Sequence, residues 1–429
     1  MAIFLYFLLF LLKKIQNINY LKLSFERNLT SLTTENIMQK IYNNDIYTNI
    51  KIGSHSQEIP ITYKMNSFPF YIISSDSQSK TNKVYDYQKS KSFTKFTNDS
   101  KINFEGEEFL IANTASDIIS LPFTNFKNLD KFQFLITSKL NDKFIINEGG
   151  TFGLFIDSAK ESYENIDFVS QLKKRKLIDG YSFYFKFPNK NKDKGEIIIG
   201  ARPDQIDQKN YNYSHFKTEN CEFEVLKQFW SLRFDTVKYN NNTFLSDNIY
   251  FQIEKGVIVA PREIKVIMKN KFFNNFDCSE NNFQSNDLGT EYNFISCKDN
   301  IKIEKFGNLT FYHKKLNSTF VLNHEDLFYY FKGRYYFLVV FHNEDISNYW
   351  IFGSPFFKKY EIIFDKDKGT IGVYDNINKY SSFDWKILII IFLIFLSGGL
   401  VFYIIFYLFK KKRKIRANEL EDNYEYISQ

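Results

Sequence analysis

Cysteine, proline and glycine are all sparse in this 429-residue chain, with three Cys, seven Pro and seventeen Gly. Three cysteines are too few for a disulfide-dense scaffold. No Cys-x-x-Cys or His-Glu-x-x-His spacing is present to suggest zinc, so no metal and no cofactor are expected. The histidines, His55, His215, His313, His324 and His342, have no Ser or Cys elbow beside them, which argues against a switched nucleophile. The formal charge of +7 is weak evidence for nucleic acid, because much of it comes from Lys410–Arg416, beside an apolar segment. Ala, Gly and Pro are scarce while Phe, Tyr, Ile, Asn and Lys abound. That is the usage of a very AT-rich genome and says little about function.

Two apolar runs set the expected compartment. Ile3–Leu12, followed by Lys13 and Lys14, is too short to span a bilayer and has the length of a signal-peptide core, so residues 1–18 read as a signal peptide. An uncleaved anchor is the alternative. Ile387–Phe409 is uncharged and, at about 1.5 Å per residue, reaches roughly 34 Å, enough for a hydrocarbon core of about 30 Å. The basic run Lys410–Arg416 that follows marks the cytoplasmic side. The expectation is a type I protein with a lumenal or extracellular ectodomain, one transmembrane helix and a cytoplasmic tail at 410–429. Asn-x-Ser/Thr sequons at Asn28, Asn98, Asn212, Asn241, Asn308 and Asn317 all lie between the two runs, as glycosylation of a lumenal ectodomain requires. The tail carries Tyr424-Glu425-Tyr426-Ile427, a Tyr-x-x-hydrophobic pattern of the kind that endocytic sorting adaptors read.

Between the runs the pattern is that of strands. A chain of this length holds two domains, or one large all-β unit with extras. In Tyr349–Asp375, short runs rich in β-branched and aromatic residues are broken by Gly353-Ser354-Pro355 and by an Asp-Lys-Asp-Lys-Gly turn. Charges at Lys358, Lys359, Asp365, Lys366 and Asp367 interrupt any helical stripe. Asp45–Asp76 alternates polar and apolar residues over two strands joined at Gly53-Ser54-His55-Ser56.

These stretches resemble the pepsin-like aspartic proteases (the A1 peptidases). Trp350, Ile351, Phe352, Gly353, Phe356, Tyr360, Phe364, Asp365, Ile371 and Gly372 fall without a gap into that family's closing pattern. Tyr47, Ile50, Ile52, Gly53, Gln57, Ile59, Ile61 and Tyr63 match its opening hairpin in kind. Asp117–Leu121 resembles the strand after the flap, Gly149–Phe155 the hydrophobic-hydrophobic-Gly motif, Phe168–Lys176 the short helix behind it, and Ile178–Gly200 the strand pair that completes the first lobe. The resemblance implies an all-β, bilobal acid-protease fold with a central cleft. Its lobes are expected at 45–205 and 206–378, and a segment at 19–44 is either propeptide-like or a plain N-terminal strand. It also implies a flap near Phe104 and Gly106 and a disulfide between Cys278 and Cys297. Cys221 is left over as a buried small hydrophobe.

The catalytic triplets do not match. Asp-Thr-Gly is replaced by Lys64-Met65-Asn66. Counting back from Val259-Ala260-Pro261, the second triplet falls on Gln252-Ile253-Glu254. An aspartic protease needs two carboxylates that share a proton and activate water. A lysine ammonium has no lone pair with which to accept a proton, and a glutamine does not titrate. Met65 and Ile253 also replace the hydroxyls, and Asn66 and Glu254 the glycines, so relaxed loop geometry is expected. Asp76 and Asp247 could stand in only by breaking an ungapped frame. The leading expectation is therefore a pseudoprotease with no catalytic residues, binding a peptide or protein in its cleft. Lys64 there either holds a carboxylate, from Glu254 or from a ligand, or has simply drifted. The alternatives are an active aspartic endopeptidase and a surface glycoprotein that uses the fold for adhesion.

Overall fold

Alternation in the first strand already shows how the body is built. Leu21, Leu23, Phe25 and Arg27 of Leu21–Arg27 are buried while Lys22 and Ser24 are exposed, the period of a strand with one covered face. The computed structural model describes residues 18–374 apart from 28–31, 44–45, 66–69, 78–82, 97–99, 104–108, 122–128, 141–148, 157–165, 189–193, 209, 222–228, 241, 246–247, 286–289 and 344–348, together with 403 and 406–410. The strand Leu21–Arg27 runs antiparallel to Lys194–Ile199 and also touches the start of Ile46–Ile52. It thus belongs to a platform to which both halves of the chain contribute. Ser182–Lys186 of the first half pairs with Ile362–Asp365 of the second, which in turn pairs with Thr370–Tyr374 and, through it, Phe216–Asn220. Phe183 stacks on Phe364 at 5.1 Å between ring centroids, so the register is fixed by aromatic packing as well as by the ladder.

Each half then repeats one motif. In the first, Gln57–Lys64 runs parallel to Gly150–Gly153, and Tyr71–Ile73 lies antiparallel on the other side of that central strand. In the second, Asn248–Phe251 runs parallel to Trp350–Phe352, and Ile258–Ala260 lies antiparallel on its far side. The central strand is short and buried in both cases, with the apolar and small residues such a position demands. Gly353 is required where it ends, since a Cβ there would lie 2.1 Å from the Val257 carbonyl oxygen and 2.4 Å from that of Lys255. The second half adds a nine-stranded sheet and a four-stranded one.

Several expectations resolve into elements. The closing stretch forms strands Trp350–Phe352, Ile362–Asp365 and Thr370–Tyr374, with a short helix at Ser354–Phe357 where Pro355 suits the first turn. The helix Phe168–Lys174 is capped by the Asp167 carboxylate, which accepts from the Val169 and Ser170 amides. Cys278 and Cys297 are bonded and sit opposite each other in adjacent strands. Cys221 is buried, and its sulfur accepts from the Ser231 amide at 3.1 Å. The segment after Asp375 forms a separate unit, in which Phe406–Lys410 are helical and exposed. Among the described residues no helix is long and apolar enough to cross a membrane. The expected signal peptide, nearly all of Ile387–Phe409, and the tail with Tyr424 and Ile427 lie outside the described residues.

Candidate functional site

The repeated motif brings two turns to corresponding places. Lys64 ends its strand in register with Gly153, and its carbonyl accepts from the Leu154 amide at 2.8 Å. Gln252 follows its strand directly, one step beyond the pairing of Phe251 with Phe352, and its amide donates to the Phe352 carbonyl at 3.0 Å. Lys64 and Gln252 therefore occupy equivalent registers, each at the level of the glycine in a hydrophobic-hydrophobic-Gly run. Met65 and Ile253 follow and are both fully buried. Asn66, Phe104 and Gly106 lie outside the described residues, as does Asp247. Asp76 is exposed and accepts from the Tyr87 hydroxyl.

The second turn is ordered rather than relaxed. The Lys255 amide donates to the Gln252 carbonyl at 3.1 Å, and the Ser354 amide to the Lys255 carbonyl at 2.7 Å. The Arg27 guanidinium reaches over from the N-terminal strand to donate to the Ile253 carbonyl at 2.5 Å. Replacement of the small polar residues has filled this turn with side chains and left its backbone hydrogen-bonded.

Glu254 is the feature the sequence pattern underplays. Its side chain, in a residue only 3 % exposed, points to the first half, where Oε2 accepts from the Met65 amide at 3.3 Å. Oε1 is buried and has no hydrogen-bond partner. Burial pushes the carboxyl up to about 7, against the pull of its own amide, Lys255, the Met65 amide and Lys64. Lys64 exerts the weakest of these pulls; Glu254 is one of the carboxylates raised from the sequence as an option for that lysine to hold.

An N-terminal helix, Ile37–Tyr42, covers this second turn. Ile37, Met38, Ile41 and Tyr42 are buried against Val257, Val259, Tyr292, Val340 and Ile351. Gly256 permits the contact, since a Cβ would lie 1.9 Å from the Ile41 carbonyl oxygen. The Lys255 ammonium sits 4.3 Å from the centre of the Tyr42 ring, and the Tyr42 hydroxyl bonds that of Tyr292 at 3.1 Å. The spacing of those four apolar residues was a helical signal available in the sequence. Among its described residues, the segment 19–44 accordingly contributes the strand Leu21–Arg27 to the shared platform and the helix Ile37–Tyr42 to the second turn.

Trp230 ties the halves together nearby, its indole N–H donating to the Leu154 carbonyl at 2.6 Å. Of the sequon asparagines, Asn212, Asn308 and Asn317 are exposed, and Asn28, Asn98 and Asn241 lie outside the described residues. Among the described residues no cluster of metal-ligating side chains occurs.

A strand–turn–strand motif repeated in two halves across a shared platform, each turn followed by the same glycine-ended strand, is the architecture of an aspartic protease. The sequence model of the eukaryotic aspartyl proteases matches residues 45–375, and the chain belongs to that family. It is similar to plasmepsin I from two isolates of Plasmodium falciparum, at 23% identity over 379 residues, covering 82% of this chain and 76% of the relative in each case.

Proposed function

We propose that this member of the family is a membrane-anchored glycoprotein that has lost peptide hydrolysis and holds an extended peptide or protein loop in the groove between its lobes. The observation that carries the reading is the chemistry of the two equivalent turn positions. Lys64 has no lone pair to accept a proton from water, and Gln252 does not titrate, so the proton-sharing carboxylate pair has no counterpart there. Glu254, the carboxylate nearest the turns, is committed to the Met65 amide. Strand-like pairing of a peptide with a groove edge would supply main-chain hydrogen bonds without any chemistry. The anchor rests on Ile387–Phe409 and its basic flank. Glycosylation draws support from the exposure of Asn212, Asn308 and Asn317, and the compartment would be the secretory or endolysosomal pathway or the cell surface.

The test is incubation of the purified full-length protein with an unfolded protein substrate across acidic pH, alongside equilibrium binding to a library of extended peptides. No cleavage together with saturable peptide binding is the expected result. Cleavage blocked by a transition-state-like inhibitor would establish an active endopeptidase instead. A second reading, a surface adhesion module, is favoured by the helix Ile37–Tyr42, which already fills space beside the second turn. Capture of a protein partner that survives substitutions in the groove would select it.

A further inference from the structure

Glu254 joins three parts of the molecule that are remote in sequence. Its carboxylate faces the first-half turn at Lys64–Met65, its own turn carries Lys255, and the residue after that, Gly256, is in backbone contact with Ile41 and Tyr42. The charged and titratable groups around it come from each of these elements. Lys64 faces it from the first-half strand, and Lys255 from its own turn. Arg27 of the N-terminal strand is fixed on the neighbouring Ile253 carbonyl. Tyr42 of the helix bonds Tyr292, against whose ring His342 packs one layer further out.

We propose that Glu254 is a proton-operated latch between the two lobes: with its proton bound the helix Ile37–Tyr42 stays packed on the second turn, and loss of that proton loosens the helix. The proton goes to and comes from solvent, and no other bond changes. A neutral carboxyl tolerates a dry site with one oxygen unpartnered, but a carboxylate there must gain a cation or water. Lys64 already faces the carboxyl from the first half, and the routes from the second half lead past Tyr42. Lys255 reaches the carboxylate more closely only by leaving the Tyr42 ring, and the close approach of Ile41 to Gly256 closes that side while the helix is packed. The helix is also short, with six residues and no side-chain cap from Asn36. Burial of Glu254 places the change between mildly acidic and neutral pH, with the tight state on the acid side. The latch does not depend on whether the groove binds a peptide.

Amide hydrogen exchange on the full-length protein in detergent, at about pH 5 and about pH 8 and corrected for the intrinsic pH dependence of exchange, tests it. Expected is a loss of protection of at least about tenfold over residues 37–42 and 252–257 at the higher pH, with the platform strand Ile362–Asp365 unchanged. Glu254→Gln should keep those segments protected at both pH values. Equal protection of the wild type at both pH values overturns the latch. So does loss of protection throughout the body, or a Glu254→Gln protein that responds to pH as the wild type does. Should that variant fail to fold, Lys64→Met takes its place: removing a cation that favours the ionised form must move the transition to higher pH, and an unmoved transition rejects the proposal.

Discussion

The Met65 amide donates to the Glu254 carboxylate at 3.3 Å, so a residue buried in the turn of one half is hydrogen-bonded to a side chain from the turn of the other. Where the family's architecture calls for two small, polar turns facing each other, this chain has a buried methionine, a buried isoleucine and one buried carboxylate. The arrangement replaces a symmetric polar pair with an asymmetric contact, and its electrostatics lead to the first prediction.

Two buried groups should pull stability in opposite directions over the same pH range. Glu254 is raised from 4.5 to about 7, so the folded state binds more protons than the unfolded one in that window. Its favourable contribution is present at lower pH and is lost as pH rises through the window. Burial of His342 lowers it from 6.5 to about 4, so there the unfolded state binds more protons, and stability is lost as pH falls. His313, lowered mainly by burial, acts in the same sense as His342. The wild-type unfolding midpoint should therefore change little between about pH 4.5 and 7. Glu254→Gln should unmask a rise with pH, gaining up to roughly 3 kcal/mol over the wild type near pH 8. His342→Phe, which keeps a ring between Tyr292 and Tyr349, should unmask a fall. Denaturant melts of the three proteins across this range decide it; parallel curves would reject the opposition.

Gly256→Ala places a methyl group against the Ile41 carbonyl at a separation no Cβ tolerates. The helix Ile37–Tyr42 must shift, and the cost should be about 1–3 kcal/mol, typical of overpacking. Limited proteolysis should then cut the variant near residues 37–42 sooner than the wild type. Gly333→Ala serves as a control, since a Cβ at Gly333 meets nothing within 4 Å, although its φ of 77° adds strain of its own. That variant should leave the cutting pattern near the helix unchanged.

The bond between Cys278 and Cys297 closes a loop with a sequence separation of 19 and links adjacent strands. Cys278→Ser should lower stability by roughly 2–4 kcal/mol, chiefly by freeing the unfolded chain. Cys297 is the more buried partner, so Cys297→Ser should cost more, because a hydroxyl is then left in the core. Denaturant midpoints of the two variants, with the wild type under reducing conditions for comparison, give the order.

Much of this arrangement could be read from the sequence, because strand alternation and short aromatic runs are local signals. Trp350–Phe352 and Thr370–Tyr374 fall where the pattern puts them, and the counts to Lys64 and Gln252 land on equivalent registers. The order in the second turn was not legible. Losing its small residues suggested slack, but Ile253 went inward and Arg27 took up its buried carbonyl, a partnership across 226 positions that no local pattern carries. The role of Ile37–Tyr42 was hidden for a related reason. The spacing of its four apolar residues signals a helix but not where it docks, because what holds it is Gly256 and Tyr292, far along the chain. Glu254 could be placed near Lys64 by counting, but its dryness and its unpartnered oxygen belong to the packing alone.

On the proposed reading of a chain that does not hydrolyse peptides, aspartates placed at the two turns should not by themselves supply the activity. In Lys64→Asp/Gln252→Asp the two carboxylates would stand at equivalent registers, but the hydroxyls that orient such a pair are absent, with Met65 and Ile253 buried in their place. Glu254 would add a third carboxyl close to the pair. Like charges held together in a dry site raise each other's proton affinity, so the proton would no longer be confined to the two that face the substrate. The helix Ile37–Tyr42 would still lie over the second turn, against Gly256. The double variant should therefore fold with lowered stability and leave an unfolded protein substrate intact at acidic pH. Adding Glu254→Gly and Ile253→Ser, which restores a small and a hydroxyl-bearing residue, is the minimal further change from which measurable cleavage is expected. Cleavage by the double variant alone would mean that the turns had kept a working geometry.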